Sequence, residues 1–131
     1  MFNQAVLRSV GVILLAVVVG LAIWFVIRSL GVEPIVGKGS APHPVGAVDV
    51  AVAALVAGIG AWGVNAWLAR RGLARVWPFV GSTALAISII APSWLADGAS
   101  AVALICLHVA VALVLLLGFT LGQPERSPSI G

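Results

Sequence analysis

A chain of 131 residues with 62% hydrophobic and only 8% charged side chains is too short for more than one domain and too apolar to face water on all sides, since a soluble domain is about a quarter charged. The mean hydropathy is +1.20 and the pI near 10.6, but the net charge is only +3, scattered at the ends of apolar runs without a basic face interleaved with aromatics, which argues against nucleic-acid binding. The single cysteine, Cys106, rules out an intramolecular disulfide, a CxxC pair and a cysteine-built zinc site, and its apolar neighbours mark it as an inert, packed thiol.

A bilayer core takes about 20 apolar residues as a helix, and four runs meet that length. The first, 9–27, is closed by Arg8 and Arg28. Small residues at Ser29 and Gly31 suit a signal-peptide cleavage site. The apolar run is nevertheless longer than the roughly 7–15 residues of a signal h-region, so a retained span is expected. The connection that follows, "RSLGVEPIVGKGSAPHP", carries Gly or Pro every few residues and one apolar patch at 32–36. It reads as an irregular loop on the outer membrane surface, with His43 a solvated side chain between two prolines.

The second run, 45–68, has Asp49 near its start and contains "AVAALVAGIGAWG". Helices in lipid associate by close approach across small residues. Ala53, Ala57 and Gly60 or Ala61, with Ala54 and Gly58 as a second pair, therefore form the expected helix-packing seam. The seam faces either the other spans of the chain or a second protein. Asn65, near the inner end, is expected to cap or cross-link helices. The third run, 76–95, tolerates Pro78 in its first turn. The fourth, 99–121, has Asp97 and Ser100 as candidate N-caps. Gly11 and Trp24 in the first run and Gly81 and Trp94 in the third share one spacing, an echo of the kind left by parallel two-helix repeats.

Lys and Arg in short loops set orientation. With four spans, Arg8, Arg70, Arg71, Arg75 and Arg126 share one compartment, against Arg28 and Lys38 on the other. That bias puts both termini in the cytoplasm. Trp67 and Trp77 then fall at the inner boundary, Trp24 and Trp94 at the outer one. The expected fold is an all-α membrane protein, a single transmembrane domain over 1–131 with four helices in an antiparallel up-down bundle. Arg28 and Asp49 meet as an ion pair at the outer boundary. Six arginines against one lysine suit a GC-rich bacterial genome, and hence a bacterial cytoplasmic membrane.

His108 is the one ionisable side chain that falls mid-span. An intramembrane ionisable residue is a functional-site hypothesis by default. Ser88 lies at similar depth on the third span, so the expectation is a neutral ring, facing the bundle interior and hydrogen-bonded to Ser88. A ligand contact through the same two residues is the competing reading. A second membrane-embedded histidine, which bis-histidine haem ligation needs, is lacking. So are a nucleophile–base pair, a carboxylate dyad and a metal set, so no catalytic or metal site is expected and no cofactor is implied. The sequence points first to a non-catalytic accessory or interaction subunit in the lipid bilayer, homo-oligomeric or part of a larger membrane complex. The second reading is a binder or carrier of a lipophilic small molecule near His108 and Ser88.

The four-span layout, "LAISIIAPSW" closing the third span and "SAVALICLHVAVAL" in the fourth resemble an uncharacterised family of small actinobacterial four-helix membrane proteins. Ser88, Pro92, Ser100 and His108 carry the resemblance, which runs from about Leu7 to Leu121. It implies the fold and the membrane location, and no activity. Small multidrug-resistance transporters are similar in size but rely on a membrane-embedded Glu in the first span, where this chain has no carboxylate.

Overall fold

The computed structural model describes residues 4–37, 42–96 and 98–121. Lys38, Asp97 and Arg126, and the side chain of Pro92, lie outside the described residues. The chain forms α1 (Gln4–Ser29), a two-residue strand pair β1 (Ile35–Val36) and β2 (His43–Pro44), α2 (Ala47–Arg70), a short 3-10 turn (Ala74–Val76), α3 (Trp77–Leu95) and α4 (Gly98–Leu121). Each expected span is a helix, with ends within five residues of the expected ones. Three of them, α1, α2 and α4, are long and apolar enough to cross a membrane. At 1.5 Å per residue their 24 to 26 residues run about 36–39 Å, beyond the roughly 30 Å of a hydrocarbon core. Helix α3 is shorter, at 19 residues.

Helices α1 and α2 stop in the same way. Val32 N–H donates to Ile27 O and Gly31 N–H to Arg28 O after α1; Leu73 N–H donates to Leu68 O and Gly72 N–H to Ala69 O after α2. This is the Schellman arrangement, which satisfies orphan carbonyls and needs a left-handed residue at the turn. Gly31 (φ +83°) and Gly72 (φ +70°) supply it. Helix α2 starts at Gly46, whose N–H donates to Asp49 Oδ2 at 2.8 Å. That bond is the carboxylate half of a capping box.

The connection between α1 and α2 is more ordered than its composition suggests. Ile35 pairs with Pro44 and Val36 with His43, antiparallel, and Val45 N–H donates to Pro34 O at 2.8 Å. Pro34 is fully buried. Ser100 is not an N-cap. Its hydroxyl donates to Glu33 O and accepts from Ile35 N–H, at 3.2 and 3.3 Å. Trp24 Nε1–H donates to Val45 O at 2.9 Å. Two helices thus clip the loop onto one end of the molecule. Beneath it Val45, Val50, Ala96, Leu104 and Leu107 form one buried cluster. A second cluster, at the opposite end, gathers Ile13, Ala16, Leu68, Trp77, Leu115 and Phe119.

Glycines set the close approaches. A Cβ on Gly58 would stand 2.8 Å from Ile13, one on Gly118 2.5 Å from Val12, and one on Gly81 2.5 Å from Leu116. These are the α1–α2, α1–α4 and α3–α4 contacts. Helix α1 packs along α2 and α4, and α4 along α3, whereas α2 and α3 barely touch. The lateral order is therefore α2, α1, α4, α3, an open arc with a groove between its two end helices. Gly11, the counterpart of Gly81 in the spacing echo, has open space around it, so the echo does not extend to packing.

The candidate site, a groove between three helices

Because α2 and α3 do not close on one another, a cavity of about 510 Å³ runs between them, floored by α4. Ala53, Ala57 and Gly60 form its α2 wall; Gly81, Ala84 and Ser88 stand on its α3 wall; His108 and Val111 rise from its floor. Ala53, Ala57, Gly60, Ala84 and His108 are exposed, so the groove opens sideways onto the outer surface of the helices. That surface is apolar almost throughout, with Leu14, Val18, Val56, Ile59, Ile87 and Val102 among its exposed side chains. Apolar patches of that extent mark a surface that does not face water.

The expected seam divides between two faces of α2. Gly58, with Ala54, is buried, and Gly58 meets α1 through Ile13. Ala61 is half-buried and packs on the core cluster. Ala53 and Ala57 are exposed on the groove, whose lining Ala54 and Ala61 also reach. Helix residues three to four apart share a face, and Ala53/Ala57 sit about 100° around from Ala54/Gly58. Gly20 and Gly118 escape the sequence reading, and Gly81 enters it only through the spacing echo, although a Cβ at each would crowd a neighbouring helix.

His108 and Ser88 line the same cavity but are not bonded to each other. Ser88 Oγ–H donates to Leu85 O at 2.8 Å, and His108 Nδ1 lies 2.8 Å from Leu104 O. Each has turned back onto its own helix, bonding a carbonyl about one turn away in place of a side chain on the packed neighbouring helix. The imidazole therefore does not lie in the packed interior; it is exposed in the groove. A carbonyl only accepts, so in the neutral ring Nδ1 carries the hydrogen and Nε2 keeps a free lone pair. Thr83, Ser93 and Thr120 bond in the same backward manner.

The expected Arg28–Asp49 pair is replaced by two others. Arg28 Nη1 donates to Glu33 Oε1 at 3.1 Å, five residues on in the connection, and its guanidinium lies 5.6 Å from the Trp24 ring centroid. Asp49 Oδ2, already bound to Gly46 N–H, is 3.4 Å from His43 Nε2. His43 is exposed, as expected, and is also in contact with the carboxylate at the head of α2. Each partner is close in sequence or fixed by the strand pair, and both outcompete a charge on a neighbouring helix. Asp49 stands on the wall of the groove.

The tryptophans also divide. Trp94 is 75% exposed and Trp67 is exposed with Arg71 stacked 5.2 Å from its ring centroid. Trp77, expected at a lipid boundary, is only 3% exposed. It packs edge-on to Phe119 at 5.8 Å and donates its Nε1–H to Leu116 O at 3.3 Å, closing the far end of the groove. Cys106 is exposed, not packed. Among the described residues no group of three or more His, Cys, Asp or Glu side chains is placed to hold a metal.

Residues 2–123 match the family model described as a family of unknown function, DUF6069, and the chain belongs to that family. No curated protein and no solved structure gives a match.

Proposed function

We propose that this protein is a non-catalytic, multi-pass membrane protein that takes a lipophilic small molecule from the bilayer into the groove between α2, α3 and α4. The observation that carries this reading is an apolar cavity of about 510 Å³ with a few polar groups inside it, the usual form of a small-molecule site. One of them, His108 Nε2, has a lone pair and no protein donor among the described residues. A polar atom left unpaired in hydrocarbon costs about 1–3 kcal/mol on protein-derived scales, which a ligand's donor would recover. The wall residues Ala53, Ala57 and Gly60 leave room that larger side chains would fill.

The membrane arrangement belongs to the same proposal. Helix α3, about 28 Å long at 1.5 Å per residue, serves as the fourth span beside α4. Contacts such as Ile13 with Gly58 and Val50 with Gly20 support antiparallel neighbours. Five basic residues against two support cytoplasmic termini, and the composition suits a bacterial cytoplasmic membrane. A second reading draws on the same groove. A wall of Ala and Gly also suits a helix of a second copy or of another membrane protein, which would make the chain an accessory or interaction subunit.

Native mass spectrometry of gently extracted protein separates the two. A bound small molecule in the wild type, lost in Ala57→Leu with helicity unchanged, is the expected result. A mass corresponding to a protein partner or a homo-oligomer, also lost in Ala57→Leu, favours the second reading. Wild-type protein that carries neither, and that binds no added lipophilic probe, refutes both.

A further inference from the structure

The side chains that bring polar atoms to the groove are Asp49, Trp77, Ser88 and His108. Taken one at a time, their remaining hydrogen-bonding capacity is all of one kind. Trp77 is a donor only, and its Nε1–H is already given to Leu116 O. Ser88 has given its hydroxyl hydrogen to Leu85 O, which leaves its oxygen lone pairs. His108 has given Nδ1–H to Leu104 O, which leaves the Nε2 lone pair. Asp49, as a carboxylate, has no hydrogen to give and takes the Gly46 N–H. Past the first turn of α2, backbone amides in the helical walls are committed to the helices, and Val45 N–H, at the head of the groove, is committed to Pro34 O.

We propose that the groove selects lipophilic molecules that donate hydrogen bonds, and that His108 Nε2 is the selecting atom. The proposal rests on the reading of the groove as a small-molecule site and names the chemical class of its ligand. An apolar body carrying a hydroxyl or N–H finds an acceptor at His108, and Ser88 Oγ lines the same groove. His108 lies ten residues along α4 from Gly98, about 15 Å from that end at 1.5 Å per residue. The donor is therefore a neutral one, because among the described residues no carboxylate lines the groove at that depth to balance a cation. Asp49, nearer the loop-covered end, accepts a second donor on a longer ligand. An ester, ether or ketone of the same shape offers only acceptors and meets only acceptors. Such unmatched polar contacts discriminate between ligands more sharply than a change in apolar volume does.

The test uses para-hexylphenol and its methyl ether, para-hexylanisole, titrated calorimetrically into the full-length protein in detergent, with partitioning into protein-free micelles subtracted. The phenol is expected to bind about 3–10-fold more tightly, the range of one hydrogen bond between neutral groups. His108→Phe is expected to remove that preference while the ether's affinity holds, which also shows that the variant is folded. His108→Gln, whose amide brings a donor as well as an acceptor, is expected to narrow the preference by improving the ether. Equal binding of the two probes to the wild type overturns the donor rule, and so does tighter binding of the ether. A phenol preference that survives in both His108 variants overturns the assignment to Nε2. Binding of neither probe to the wild type is a different failure. It refutes the small-molecule site itself, and with it this proposal.

Discussion

Gly118 is where α1 and α4 come closest, and replacing it by alanine puts a number on that contact. The added Cβ would lie 2.5 Å from Val12 Cγ1, 2.9 Å from Cγ2 and 3.3 Å from Cβ. Carbon atoms rest at about 3.5–4.0 Å, so the helices must separate by about 1 Å or Val12 must leave its rotamer, which β-branching in a helix resists. Overpacking of this kind costs about 1–3 kcal/mol, and the better helix propensity of alanine returns at most about 1 kcal/mol. Gly60→Ala is the control, because its Cβ would meet nothing within 4 Å and only the propensity gain applies. Unfolding in mixed micelles by sodium dodecyl sulfate, followed by circular dichroism, should therefore rank Gly118→Ala below Gly60→Ala by about 1–3 kcal/mol. Val12→Ala removes both offending methyls, so the double variant Val12→Ala/Gly118→Ala should recover most of that loss. If Gly118→Ala is as stable as Gly60→Ala, or Val12→Ala gives no recovery, the close α1–α4 approach is wrong.

Gly58→Leu should unfold at markedly lower denaturant, since even a Cβ there stands 2.8 Å from Ile13. Ala57→Leu, one residue earlier but facing the groove, should keep wild-type stability; equal loss in both variants would contradict the division of the two faces. Ser100→Ala should speed amide hydrogen exchange at Ile35, because the Ile35 N–H donates to Ser100 Oγ and not across the strand pair; unchanged exchange would show that the clip is not formed. Trp77→Phe should cost about 1–3 kcal/mol, a smaller part for its hydrogen bond, because Leu116 O keeps the Thr120 hydroxyl at 2.6 Å, and the larger part for the space the smaller ring leaves in the buried cluster; wild-type stability in the same unfolding assay would mean the indole is not packed there. Reporter fusions after residue 131 and within 37–40 should report opposite compartments, cytoplasmic for the first; the same compartment for both would end the four-span arrangement.

The helices are legible because a hydrocarbon core demands long apolar runs and the interruptions at 28–44, 69–75 and 96–98 are unmistakable. What the sequence hides is the rotational phase of each helix. A soluble helix shows its inner face by contrast with a polar outer one. Here Leu14, exposed, and Ile13, buried, are chemically alike, so nothing in the pattern says which looks inward. The same blindness groups Ala53 and Ala57 with Gly58 in one seam and leaves open whether that seam faces the chain's own spans or a second protein. His108 was recognisable as the singular residue, and Ser88 as its neighbour in depth, but not that each would bond to its own helix. That outcome is a rotamer choice between a carbonyl about one turn back and a side chain on a packed neighbour, which no local sequence signal encodes. The strand pair was hidden for another reason. Prolines at 34, 42 and 44 read as strand breakers, yet Pro44 sits opposite Ile35, whose N–H goes to Ser100 instead of across the ladder.

The open arc has a physical basis in the solvent. In water an exposed wall of Ala, Val and Leu would drive α2 onto α3, but lipid chains are as apolar as the walls and no such force acts. Closure would gain only dispersion contacts between small residues. It would also bury His108 with its Nε2 unpaired, at about 1–3 kcal/mol, because Ser88 has already spent its hydrogen on Leu85 O. The same balance decides what can occupy the groove. Any lipophilic molecule entering it competes with acyl chains that fill the space equally well and are present in great excess. Apolar complementarity therefore cancels in the exchange. Preference for one occupant over another then falls to the few atoms that a hydrocarbon chain cannot satisfy, and at mid-depth those are the lone pairs of His108 and Ser88.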